Sequence, residues 1–273
     1  MSTTEVDTLR VSGARLHYQV RGDGPILLMM SGGHGDADSF NGMVESLAEQ
    51  YTVVTYDRRG YARSPLDDPT EDQQVATHAD DAASLLATVG HEAAYVFGNS
   101  AGALIGLDLV TRHAHLVSTF VAHEPPALQL LPAAERPQPP EDLVETMRRD
   151  GPVAALEEFR ALVGATHDDN EPDVDISQQR SPRTAANARF FFSHEMRMLD
   201  RYTLDIAALS GVPTRIVPAA GCTGRDHFPY RCAVALAGQL DAALVEFAGG
   251  HAGFVSHPSA FAEQLHDVLT STD

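Results

Sequence analysis

Ala93-Ala94-Tyr95-Val96-Phe97 runs directly into Gly98-Asn99-Ser100-Ala101-Gly102, and then into Ala103-Leu104-Ile105-Gly106-Leu107-Asp108-Leu109-Val110. The first part is a short apolar run of the kind a buried strand makes. The last part is an apolar stretch long enough for a buried helix. Between them lies a G-x-S-x-G pattern, which in a strand–turn–helix context makes a nucleophile elbow. Small residues two before and two after the serine permit the tight turn. That turn lifts the Ser100 hydroxyl off the end of the sheet and sets the Ala101 N–H at a helix start, where it can stabilise an oxyanion. The competing reading is a glycine-rich turn with a bystander serine, and the two flanks argue against it.

Outward from this elbow the chain alternates strands with helices. Leu9, Val11, Leu16, Tyr18 and Val20 alternate around Ser12-Gly13, which predicts a hairpin. Ile26-Leu27-Leu28-Met29-Met30 is a continuous apolar run, read as a central strand ending at Ser31-Gly32-Gly33-His34-Gly35. Phe40, Met43, Val44 and Leu47 fall on one helical stripe, and residues 51–56 make the next strand. A helix with Val75, Ala79, Ala82, Leu86 and Val89 on one face leads to the elbow, and a strand over residues 116–122 follows it. The alternation then stops. Residues 125–209 open with a proline cluster and give helical segments near 143–149, 153–163 and 185–199 but no strand. Strands return at 214–219 and 243–247, before a closing helix with Phe261, Leu265 and Val268. The expected class is α/β, with a mostly parallel central sheet flanked by helices. Residues 1–124 and 210–273 are expected to form the core and residues 125–209 an inserted helical cap.

Bulk properties narrow the function classes. With 19 basic against 38 acidic residues the net charge is −19, which disfavours nucleic acid and anionic membrane surfaces as partners. The acidic residues are scattered, as on a solvated surface. No apolar run approaches the roughly 18 residues of a membrane span. The segment Met1-Ser2-Thr3-Thr4-Glu5-Val6-Asp7 has neither the basic nor the apolar part of a secretory signal. Two cysteines, Cys222 and Cys232, make no disulfide framework, so a cytoplasmic location is expected. No clustered Cys/His spacing points to a metal, and no cofactor is called for. A small-molecule substrate is the expected partner, and a homo-oligomer is left open.

A serine hydroxyl needs a base to take its proton, and the base needs an orienting acid. Histidine suits the base role near neutral pH. Of the 13 histidines, His251 is best placed, in Gly249-Gly250-His251-Ala252-Gly253-Phe254 just after the last strand. A loop there can arch over the end of the sheet where the serine emerges.

In these motifs the chain resembles an α/β-hydrolase over nearly its whole length, least so in the cap. Ser31-Gly32-Gly33-His34-Gly35 resembles an H-G-G-P-G-type oxyanion loop, and Tyr56-Asp57-Arg58-Arg59-Gly60-Tyr61-Ala62-Arg63-Ser64 resembles the D-x-R-G-x-G-x-S turn. The elbow and the terminal Gly250-His251 loop follow in the family's order. Ser31 and His34 depart from the oxyanion-loop pattern, where backbone donors need no particular side chain, and Ala62 replaces a glycine of the arginine-rich turn. The resemblance implies that the Gly33 and Ala101 N–H groups form the oxyanion hole, and that Arg58 or Arg59 bonds carbonyls near the elbow rather than clamping substrate. His34 is a candidate for the substrate pocket, against a loop histidine bonded to the backbone.

The resemblance leaves the acid open. Its usual place follows the strand at 214–219, where Gly221-Cys222-Thr223-Gly224-Arg225-Asp226 puts Asp226 two residues late. A minority arrangement places it after the preceding strand, where this chain has Glu124 in Ala122-His123-Glu124-Pro125-Pro126. The alternatives are a loop charge or a helix cap before Pro229 for Asp226, an ion pair at the root of the cap for Glu124, and a Ser–His dyad or another acid for the site. The implied activity is hydrolysis of a carboxylic ester, lactone or related acyl compound through an acyl-enzyme. Two other readings stay open: a cofactor-independent lyase, cyclase or dioxygenase using a His–acid pair for proton abstraction, and a non-enzymatic ligand receptor.

Overall fold

A computed structural model describes residues 4–33, 35–137, 141–165, 170–172, 174 and 183–271 of the chain. Eight strands form one sheet: β1 (Glu5–Val11), β2 (Ala14–Arg21), β3 (Ile26–Met30), β4 (Thr52–Tyr56), β5 (Ala94–Asn99), β6 (Val117–His123), β7 (Arg215–Gly221) and β8 (Val245–Phe247). Their order is β1-β2-β4-β3-β5-β6-β7-β8. The β1–β2 hairpin and the β2–β4 pairing are antiparallel, and every pairing from β4 through β3 to β8 is parallel.

The apolar run of β3 is explained by burial on both faces. Leu28 and Met30 point into a layer with α2 (Val75–Val89) and α3 (Ala101–His113). Leu27 and Met29 point to the other side, against α1 (Asn41–Leu47) and α11 (Pro258–Thr270). Alternating side-chain direction along a strand makes this division automatic. Phe120 of β6 packs into the first layer and Phe97 of β5 into the second.

Between β6 and β7 the described residues form no strand. They give α4 (Glu141–Asp150), α5 (Pro152–Val163), α6 (Thr184–Phe190), a π-helical turn Phe191–Glu195, α7 (Met196–Arg201) and α8 (Ile206–Ser210). The single helix expected over 185–199 is thus three segments, because hydrogen bonding widens to the π pattern in its middle. The expected boundary at 209 falls inside α8, whose Leu209 is buried in the layer of α2 and α3. The next helices are α9 (Phe228–Leu240) and the short α10 (Gly253–Ser256). No helix among the described residues is long and apolar enough to cross a membrane.

Candidate active site

The elbow forms as its glycines require. A Cβ on Gly98 would sit 2.6 Å from the Gly102 carbonyl oxygen, and one on Gly102 would sit 2.2 Å from that of Met30. The turn between β5 and α3 is therefore closed to larger residues. Ser100 takes φ 53° and ψ −119°, a strained conformation for a residue with a side chain. Two backbone bonds hold it there, from the Ser100 N–H to the His123 carbonyl at 2.9 Å and from the Leu104 N–H to the Ser100 carbonyl at 3.0 Å.

Glu124, directly after β6, is also strained, with φ 50°. Its N–H donates to the Ala219 carbonyl at 2.9 Å, which turns the side chain over the end of β7. There Oε1 accepts the Gly221 N–H at 2.9 Å and Oε2 pairs with His251 Nδ1 at 2.5 Å. Burial alone pushes this carboxyl pKa up, but the hydrogen bond and charge of His251, with smaller help from His123 and the Gly221 N–H, leave it below the ordinary value. Glu124 is therefore a carboxylate holding the imidazole. A Cβ on Gly221 would meet the Gly250 carbonyl at 2.4 Å, so the two loops approach closely enough to bring His251 to Glu124.

Asp226 does not reach this pair. Strand β7 runs on to Gly221, and the turn that follows leads straight into α9, leaving Asp226 exposed to solvent. Of the two candidate acids, only Glu124 bonds His251.

Two further side chains complete the scaffold, and neither was assigned a role from sequence. The Asn99 amide donates to the His251 carbonyl and to His123 Nδ1, each at 3.0 Å. His123 is fully buried among Phe97, Phe247 and Phe261. Burial lowers its pKa to about 4, partly offset by the Glu124 charge, so it accepts from Asn99 as a neutral imidazole. Asn99 was legible as the x of G-x-S-x-G, and His123 as the neighbour of Glu124, but nothing local indicates that they brace His251.

Ser100 and His251 line one cavity of about 130 Å³ together with Gly32, Gly33 and Asn99. Among the described residues the hydroxyl and the imidazole make no direct hydrogen bond, and such contacts commonly tighten only with substrate bound. The Gly33 and Ala101 N–H groups likewise donate no hydrogen bond among the described residues, leaving both donors open. His34 lies outside the described residues.

A second cavity, about 190 Å³, also reaches Ser100. Its lining is mostly apolar, including Leu128, Leu143, Val163, Met196 and Phe228. Phe159 and Val163 of α5 line both cavities.

The two arginines of the turn after β4 are structural. Arg59 forks onto Asp81 of α2 at 2.6 and 2.8 Å. Arg58 bonds the Ser31 and Gly32 carbonyls at 3.0 and 2.6 Å, as the sequence led us to expect of one arginine in this turn. Cys232 is buried, and burial raises its thiol pKa to about 12.

A parallel-sheet scaffold with a serine elbow and a histidine loop at one edge defines a class, and sequence and structure comparisons agree with it. Residues 25–190 match the family described as alpha/beta hydrolase fold. An uncharacterized hydrolase, YraK of Bacillus subtilis, is 44% identical over 266 residues, covering 96% of this chain and 95% of that protein. The chain belongs to the α/β-hydrolase fold family. Among solved structures, the enol-lactonase of Burkholderia xenovorans LB400 superposes with a TM-score of 0.77 at 20% identity, over 97% of this chain and all of that one (100%). A thermophilic esterase from Thermogutta terrifontis does so with a TM-score of 0.75 at 19% identity, over 98% of each chain. At such identities these two likenesses concern the fold alone.

Proposed function

We propose that this protein is a serine hydrolase acting on a small carboxylic ester, lactone or related acyl compound. The observation that carries this reading is the Glu124–His251 pair opening onto the same cavity as an elbow serine. Ser100 Oγ attacks the acyl carbon while His251 Nε2 takes its proton. Glu124 keeps the other proton on Nδ1 and stabilises the imidazolium. The carbonyl oxygen, now an oxyanion, accepts from the Gly33 and Ala101 N–H groups. Collapse breaks the acyl bond, and His251 returns the proton to the leaving group. Water then attacks the acyl-enzyme with the same base, releasing acid and free Ser100.

The helices α4 to α7 act as a cap that closes this site, and their residues set substrate shape. Arms of different character meeting at Ser100 suit a substrate with an apolar group on one side of the scissile bond. A cavity of about 150 Å³ lined by aliphatic side chains holds a benzene ring, so a phenyl-sized group fits the apolar arm. The strong negative charge favours a small-molecule substrate over nucleic acid or an anionic membrane.

The place of the acid after β6 also suits a relative that uses the His–acid pair for proton abstraction. Labelling with a fluorophosphonate followed by peptide mass analysis, alongside turnover of p-nitrophenyl esters, separates the readings. A hydrolase is labelled at Ser100 and turns the esters over. Labelling with poor turnover supports the receptor reading, and substantial activity retained by Ser100→Ala supports proton abstraction.

A further inference from the structure

The π-helical turn Phe191–Glu195 belongs to the insertion, yet it meets the oxyanion loop twice. Phe191 lays its ring on Gly33, so closely that a Cβ there would be 2.9 Å from a ring carbon. Four residues on, Glu195 is completely buried and grips Arg58 with both oxygens, at 2.7 and 2.8 Å. His78 lies 3.6 Å from the same carboxylate, but burial and the charges of Arg58 and Arg59 keep it neutral. Arg58 is therefore the charge that balances Glu195. Its Nε and Nη2 also donate to the Ser31 and Gly32 carbonyls.

The Gly32 carbonyl and the Gly33 N–H are two ends of one planar peptide. Fixing the carbonyl fixes the direction of the N–H. A guanidinium on the carbonyl oxygen also draws electron density toward that end, which makes the N–H a stronger donor. We propose that Glu195 is a positioning residue that acts through Arg58 to aim and polarise the Gly33 N–H. The oxyanion donor is then complete only when the insertion is seated on the sheet. This inference rests on the serine-hydrolase reading for its catalytic consequence.

Stability alone is a weak reason for such a pair. Two fully buried charges cost much of what their attraction returns, and apolar residues of similar volume often serve as well. The Arg59–Asp81 pair gives the contrast. It joins α2 to the Ser12 carbonyl and touches nothing in the cavity.

The test compares wild type with Glu195→Gln and with Glu195→Asp, which keeps the charge but withdraws the fork. Folding is scored by circular dichroism and thermal melting, and Glu195→Asp decides if the amide variant does not fold. On p-nitrophenyl esters kcat is expected to fall about 10- to 100-fold with KM within about twofold. Affinity for a trifluoromethyl ketone, which forms an oxyanion on the enzyme, should fall by the same factor. A folded variant with kcat within about threefold of wild type, or with only KM changed, overturns the proposal. The amide nitrogen resonance of Gly33 gives a readout independent of turnover. If wild type hydrolyses no acyl substrate the hydrolase reading fails. The positioning claim then stands on a Gly33 shift in Glu195→Gln, and an unmoved resonance overturns it.

Discussion

Replacing Glu124 by glutamine removes one charge and changes one atom, and the site predicts how the new amide must sit. The Gly221 N–H donates to Oε1, so the amide oxygen takes that place. The amide nitrogen then falls where Oε2 meets His251 Nδ1 at 2.5 Å. An amide N–H donates, so Nδ1 must accept and the ring proton moves to Nε2. That is the wrong tautomer, because Nε2 can no longer take the proton of Ser100. Loss of the correct tautomer with geometry preserved costs about 10⁴ in kcat in a serine triad, or about 5 kcal/mol at 1.36 kcal/mol per decade. The assay is steady-state hydrolysis of p-nitrophenyl esters, with a thermal melt to show the fold is intact. Asp226→Asn, changed on an exposed turn, should stay within about twofold of wild type. A folded Glu124→Gln enzyme that keeps a tenth or more of the activity would refute the assignment of Glu124 as the orienting acid.

Three other outcomes follow from the geometry. Gly102→Ala places a Cβ 2.2 Å from the Met30 carbonyl, so it should lower the melting temperature and abolish activity together; a variant as stable and active as wild type contradicts the elbow packing. His123 is neutral when folded, with a pKa near 4 against 6.5 when unfolded, so the unfolded chain binds more protons between these values. Stability is then fully present above pH 6.5 and lost as pH falls toward 4, by about 3 kcal/mol from this group. His78, depressed by burial and by Arg58 and Arg59, adds in the same direction. Denaturant melts across that window should show a shallower slope in His123→Asn, and an unchanged slope counts against a buried neutral imidazole. Leu143→Trp should fill the apolar arm, cutting kcat/KM for phenyl-bearing esters at least about tenfold while sparing acetates, since packing into a pocket is size-limited; equal losses on both would show that this arm does not hold the substrate.

Much of the scaffold is legible in the chain because its signals are local. The run Ile26 to Met30 reads as a central strand since both faces are buried, and Gly98 and Gly102 announce the elbow because no larger residue fits. The break in alternation after β6 likewise marks the helical insertion. The acid was not legible, since it depends on where two neighbouring strands end. Strand β7 extends to Gly221, which carries Asp226 away, while the positive φ of Glu124 folds its side chain back over that strand end. Asn99, His123 and Glu195 escaped for a related reason. Each is a buried polar residue whose partners come from distant segments, so no periodicity or spacing marks it. The π turn is similar: residues 185–199 carry a helical pattern, and only packing onto Gly33 and Arg58 shows where that helix widens.

The most direct test of acyl transfer through Ser100 is the turnover number of Ser100→Ala on an ester that wild type cleaves. The serine sits alone at the elbow with no alternative nucleophile in the motif, so the variant should fold normally and lose at least about three orders of magnitude in kcat. A folded Ser100→Ala protein that keeps most of its activity would contradict the hydrolase account and assign the chemistry to the Glu124–His251 pair.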